Sequence, residues 1–198
     1  MNKTKHKILE KAFFVFLKKG YHGTSISDIR SELDIGRATL YHHFANKKDL
    51  FMTVINEVYM KMGHTLQSGN ANNMTARELI KDLKQKSYDE NAWLENLKEK
   101  NIGLIDFFML SSEALRLNPE YMETSKEMHT KAIETWENAL KNSIAKGEVR
   151  KDIDISETAR LFVYAKHGIG VLSTHLTLAQ SVSETQKMYE RIYEFIKT

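Results

Sequence analysis

The side chains best suited to recognition chemistry in this 198-residue chain lie close together, at Arg37, Thr39, Tyr41, His42 and His43. A guanidinium, two hydroxyls and two imidazoles bond phosphate oxygens and read the donor and acceptor pattern of base edges. Nothing near them looks like a reaction centre. The chain has no cysteine, and no G-x-S-x-G, H-E-x-x-H, Walker A or EF-hand pattern. Gly168–Ile169–Gly170 is a lone G-x-G inside an expected helix and does not form a nucleotide loop. Adjacent His42 and His43 do not share a helix face, and His64, His129, His167 and His175 read as surface or satisfied core residues. No catalytic residue, cofactor or metal site is therefore expected. The chemistry is that of binding, and the expected partner is double-stranded DNA.

These groups need a scaffold, and the stretch around them supplies one. Ser25 with Asp28 three residues on is a capping pattern that opens a helix. Ile26, Ile29 and Leu33 recur at helical spacing. Asp34 suits the left-handed backbone of a sharp turn, and Ile35 plugs it. Gly36 then serves as N-cap for a short helix from Arg37 to Phe44. At about 100° per residue, Leu40 and Phe44 form its apolar side; Ala38, Thr39 and His42 point the other way, with Arg37, Tyr41 and His43 on the flanks. So short a helix is not stable alone. The whole reads as a helix-turn-helix over residues 25–44. The following helix has Asn46 as N-cap but Lys47 and Lys48 in its first turn, where cations oppose the dipole. An anion there, such as a DNA phosphate, would remove the conflict.

The same residues resemble the TetR-type transcriptional repressors. The matching pattern is I-L-x-x-A-x-x-x-F-x-x-x-G-Y from Ile8 to Tyr21, T-S at Thr24–Ser25, D-I at Asp28–Ile29, and T-L-Y-x-H-F-x-x-K-x-x-L from Thr39 to Leu50. Beyond the first quarter, the resemblance is limited to length, helical character and the G-E-V-R-K-D-I-D-I loop at Gly147 to Ile155. The chain departs from the pattern at Arg30 and Leu33, where small alanines are usual, at Asp34 in place of a turn glycine, and at Gly36 in place of a capping hydroxyl. The resemblance implies an all-α fold: an N-terminal three-helix DNA-binding domain, residues 1–50, and a C-terminal helical bundle, residues 51–198, for dimerisation and ligand binding. It implies a homodimeric, ligand-responsive repressor on a palindromic operator, not an enzyme. The expected DNA-contacting set is Thr24, Ser25, Gly36, Arg37, Ala38, Thr39, Tyr41, His42, His43 and Lys47. An architectural or cell-cycle DNA binder without effector is the alternative on the same fold.

Composition is compatible with this. The chain is 41% hydrophobic and 28% charged, as in globular proteins. Residues 1–50 hold ten Lys and Arg against five Asp and Glu, whereas the whole chain carries only +3. A basic end on a near-neutral body suits nucleic acid, although a solvated charged surface explains charge alone equally well. No apolar run spans a membrane and the N-terminus lacks the apolar core of a signal peptide, so the cytoplasm is the expected compartment.

Helices are expected at 2–19, where Gly20 is the stop, and at 47–67, 75–89, 91–99, 102–117, 120–146, 156–178 and 183–197, with a loop at 68–73. Lys3, Lys5 and Lys7 read as a disordered basic arm able to touch phosphates nonspecifically, and Phe14 and Leu17, off the main stripe, either contact the C-terminal body or are exposed. In the first of the last two helices, Phe162, Ala165, Ile169, Leu172 and Leu176 make an inward stripe and Leu161, Tyr164, Gly168 and Val171 a second apolar side; Met188, Ile192, Phe195 and Ile196 do likewise in the other. A second stripe needs a partner. The family resemblance makes it a dimer interface, at Leu161, Gly168, Val171 and Ile192; a fully buried core helix is the alternative. The aromatic and methionine-rich middle is either ordinary core or an apolar effector pocket, lined by Phe107, Phe108, Trp136 and Tyr164.

Overall fold

The computed structural model describes residues 3–33, 35–59, 71–89 and 102–198. Its helices are α1 (Lys3–Gly23), α2 (Ile26–Ser31), α3 (Arg37–His43), α4 (Lys47–Val54), α5 (Ala76–Asp89), α6 (Leu104–Leu117), α7 (Tyr121–Ala145), α8 (Ile155–Leu172) and α9 (Leu178–Ile196). A π-helical turn, Ile55–Tyr59, continues α4, and a 3-10 turn covers Ala71–Asn73. The described residues contain no strand, only an isolated bridge between Val149 and Lys197. None of their helices is long and apolar enough to cross a membrane. The fold is all-α. Asp34, helix 91–99, the end of helix 47–67 and the start of loop 68–73 lie outside the described residues.

Packing divides the chain into two units, residues 1–64 with 106–122 and residues 65–105 with 123–198. The sequence draws its boundary after residue 50; two tertiary facts move it. Phe51, Val54 and Ile55 keep α4 and its continuation in the first core. The body of α6, more than 80 positions downstream of α1, returns to the same unit.

The first core is built on α1, whose Ile8, Leu9, Ala12, Phe13, Val15, Phe16 and Leu17 are all buried. So wide an arc is buried because α6 covers a second side. Phe107 of α6 meets Phe13 with ring centroids 6.2 Å apart. On the other side Phe51 lies edge-on to both Phe16 and Tyr21, 5.0 Å from each. Gly20 ends the regular part of α1 as expected: its backbone is not helical, and a further turn to Gly23 follows across the kink. Its φ of +68° favours glycine, and a Cβ there would stand 2.9 Å from Glu113 Oε1. The expected basic arm is helical from Lys3 onward.

In the second unit the core gathers Leu79 and Ile80 of α5, Trp136, Ala139 and Leu140 of α7, Ala159, Phe162 and Val163 of α8, and Tyr189, Tyr193 and Ile196 of α9. The Trp136 and Phe162 rings stack at 4.0 Å, and Tyr189 closes edge-on to both. Three helix starts are fixed by side chains. Thr75 and Glu78 cap α5, Asp154 caps α8, and Thr177 with Gln180 forms a capping box for α9. That last box corrects the expected boundary. α8 stops at Leu172 and α9 begins at Leu178, so Leu176 lies between helices and Leu172 is 81% exposed. The inward stripe of α8 is Ala159, Phe162, Val163 and Gly170, and that of α9 is led by tyrosines.

Candidate nucleic-acid interface

Ser25 begins α2 with a complete capping box. Its hydroxyl accepts from the Asp28 N–H at 3.1 Å, while the Asp28 carboxylate accepts from the Ser25 N–H at 2.7 Å. Lys19 pairs with the same carboxylate. The hydrogen bonds from Lys19 and then Ser25 hold the Asp28 carboxyl well below the usual carboxylate range. Ile29, fully buried, anchors α2 in the core. Arg30 crosses the turn, its Nε donating to the Ile35 carbonyl at 3.3 Å. The large residue at a usually small position is thus accommodated by a bond that ties α2 to the segment before α3.

α3 rests on Leu40, fully buried, and on Phe44 just beyond its end, 2% exposed. Its exposed face carries Arg37, Ala38, Tyr41 and His42. Thr39 and His43 are half-buried, so the outward face is turned toward the Arg37–Tyr41 flank relative to expectation. The Arg37 guanidinium lies over the Tyr41 ring at 5.4 Å, which leaves its N–H edge for an anion or a base. Gly36 caps the helix with extended backbone and no side-chain hydrogen bond. α3 is therefore held from behind and not by its own cap.

Two expected contact residues are turned inward. Thr24 is 2% exposed, and its hydroxyl donates to the Gly20 carbonyl at 2.6 Å. The Lys47 ammonium donates to the carbonyls of Tyr21 and Thr24, at 2.8 and 2.9 Å, and sits 4.3 Å from the Tyr21 ring centre. The conflict read into the first turn of α4 is resolved within the chain. Asn46 accepts from the Asp49 N–H, and Asp49, an acid in that same turn, accepts from the Ala45 N–H at 2.8 Å. Lys48, which is exposed, is the better-placed cation. Sequence reasoning also missed Glu113, which accepts from the Tyr21 N–H at 2.7 Å. No motif marks it, because the two residues meet only in the fold.

The other expected sites are distributed as follows. Phe107 and Phe108 belong to the first unit, Trp136 and Tyr164 to the second. Trp136 is 5% exposed inside the core, whereas Tyr164 is half-exposed and stacks on His129 at 5.7 Å. The four do not line one space within either unit. On α8, Leu161 and Val171 are exposed, and a Cβ on Gly168 would meet nothing within 4 Å. Ile192 packs partly into the core. Met188 and Phe195 of α9 are exposed.

Residues 8–54 match the family described as bacterial regulatory proteins, tetR family. The chain is 26% identical over 187 residues to the uncharacterized HTH-type transcriptional regulator YerO of Bacillus subtilis, covering 92% of this chain and 62% of that one. It is 28% identical over 126 residues to the biofilm operon icaADBC HTH-type negative transcriptional regulator IcaR of Staphylococcus epidermidis, covering 64% and 63%. The match thus spans less than two thirds of the length of either relative. In fold it is similar to a TetR-family transcriptional regulator from Agrobacterium tumefaciens, with TM-score 0.70, 16% identity and 98% of each chain covered. A transcriptional regulator from Saccharomonospora viridis in complex with choline gives TM-score 0.69 at 22% identity, with 100% of each covered.

Proposed function

We propose that this TetR-type regulator is a homodimeric repressor that binds a palindromic operator and is released from it by a small apolar effector. The observation that carries the DNA-binding part is the exposed Arg37–Ala38–Tyr41–His42 face of α3, backed by buried Leu40 and Phe44. Such a face inserts into a major groove, where guanidinium and hydroxyl groups discriminate bases. Ser25 and Lys48 supply backbone contacts from either side; Thr24 and Lys47 support them from within.

Dimerisation is supported by the exposed apolar row Leu161, Tyr164, Val171 and Leu172 on α8, with Met188 and Phe195 on α9. Exposed apolar side chains that recur on one face of each of two helices suit a partner surface. Repression is supported by the similarity to IcaR, described as a negative regulator. Effector response is supported by α6. Both chain connections of segment 106–122 lead into the second unit, yet Glu113 and Phe107 fasten that segment to α1. A ligand that moves α6 thereby acts on the helix-turn-helix, through differential affinity for two arrangements. The choline complex of a protein with the same fold supports a small molecule in this role.

Selection from a random duplex pool tests the reading. The expected outcome is an inverted repeat with half-sites one helical turn or a multiple apart, about 34 Å per turn. Transcription from a promoter carrying that repeat should fall when the protein is present. Failure to enrich any sequence would overturn the operator reading.

A further inference from the structure

The lysines of α1 fall into two sets. Lys5 pairs with Glu57 at 3.1 Å and Lys19 with Asp28. Lys3, Lys7, Lys11 and Lys18 are exposed and have no ion-pair partner among the described residues. At about 100° per residue these four lie within roughly 80° of one another, and at 1.5 Å per residue the row is roughly 22 Å long. Like charges four apart destabilise a helix, yet Lys3, Lys7 and Lys11 follow at that spacing. The row lies opposite the arc of Leu9, Ala12 and Phe16 that is buried in the core. Lys5, on the buried arc, reaches the Phe44 ring behind α3 at 5.9 Å. The lysine row is therefore on the far side of α1 from the recognition helix.

We propose that this row is a second polyanion surface, which takes the phosphate backbone of DNA other than the stretch seated on α3: a looped flank or a separate duplex. This rests on the DNA-binding reading above. A row of point charges with no shaped pocket between them suits a regularly spaced backbone and carries no sequence preference. Phe14 is the one aromatic in that arc and is half-buried, so the face lacks the apolar residues with which an amphipathic helix enters a membrane. A helix-turn-helix on the same unit keeps duplex at high effective concentration beside the row.

The test compares the full-length wild type, a row variant (Lys7→Gln, Lys11→Gln, Lys18→Gln) and a recognition-helix variant (Arg37→Ala, Tyr41→Ala, Lys48→Ala), with helicity checked for each. Binding to a long random-sequence duplex is measured between about 50 and 200 mM salt. The row substitutions should lower the salt slope by about 0.9 for each lysine that holds a phosphate, roughly 2.7 in all. The same drop should appear when they are added to the recognition-helix variant. A drop of less than about 0.9 would overturn the proposal, since a single phosphate contact contributes that much. So would a drop that vanishes in the recognition-helix background, because the lysines would then share the duplex on α3. Loss of binding to phosphatidylserine vesicles with an unchanged DNA slope would reassign the row to a membrane surface. Wild-type protein that binds no duplex at low salt would instead sink the DNA-binding reading, and this inference with it.

Discussion

The two units bury much the same kinds of residue and present opposite exteriors. The first closes an aromatic core of Phe13, Phe16, Phe51 and Phe107 and exposes a polar helix face, Arg37 to His42. The second closes a core of Trp136, Phe162 and Tyr189 and exposes Leu161, Val171, Leu172 and Phe195. Core composition therefore does not distinguish what each unit binds; what stays outside does. An exposed guanidinium over a tyrosine face suits a charged, hydrated partner. An exposed row of aliphatic and aromatic side chains suits removal from water against another protein surface.

The contrast breaks most severely if the apolar exterior is made polar. Leu161→Asp with Val171→Asp should abolish dimerisation and, with it, the avidity of two linked half-site contacts, worth roughly 10²–10⁴ in affinity. Sedimentation and operator titration read the two effects; an intact dimer in the double variant would refute this face as the interface. Next in size is Trp136→Ala. An aromatic deletion at so buried a position should cost about 3–5 kcal/mol in denaturant unfolding. Tyr41→Ala, at an exposed position, should change stability by less than about 0.5 kcal/mol.

Within the first unit the contrast sharpens to two cations. Arg37→Ala should cost on the order of 1–3 kcal/mol of operator binding and relax preference at particular bases, with folding intact. Lys47→Ala leaves the carbonyls of Tyr21 and Thr24 without their charged donor. It should cost about 1–3 kcal/mol of stability and leave the salt slope of DNA binding unchanged. A fall in that slope of about one unit would return Lys47 to the phosphate backbone.

A pH series probes the second unit. Burial, then the charges of Lys166 and His129, lower the His167 pKa to about 4 from 6.5. The depressed value means that protonation favours the unfolded chain. This stability is complete above about pH 6.5 and is lost progressively as pH falls from there toward 4. His167→Gln should flatten the melting temperature over that window; an equal slope in the variant would remove His167 as its source. Smallest is Gly36→Ser. A Cβ at Gly36 meets only Thr39 Oγ1, at 3.9 Å, so there is room for a capping hydroxyl. The gain should be a few tenths of a kcal/mol, seen as a higher melting temperature.

Much of the fold is legible before any coordinates. Ser25 and Asp28 announce α2, Leu40 and Phe44 announce the buried side of α3, and the 3.6-residue period announces helices throughout. Such signals are local: a cap joins residues three apart, and a stripe repeats within one turn. The expected set at α3 was less legible in its details. Thr24 and Lys47 are polar residues beside α3, and their spacing does not reveal that carbonyls at the kinked end of α1 claim them first, Gly20 taking the Thr24 hydroxyl and Tyr21 and Thr24 the Lys47 ammonium. The α8–α9 boundary was legible in principle, since Thr177 and Gln180 have capping-box spacing, but the apolar residue at Leu176 masks it.

By itself, then, the sequence determined the helical class, the helix-turn-helix and the polar face of α3, because each depends on residues within a few positions of one another. Only the tertiary structure decided that α6 belongs with α1, that Glu113 closes on the Tyr21 N–H, that Trp136 is buried in the core, and that Leu172 faces out. Those outcomes depend on which distant surfaces meet. A buried hydrogen-bonding group or a large ring takes whatever partner the packing brings within about 3–6 Å, and that partner's position in the chain leaves no periodic trace.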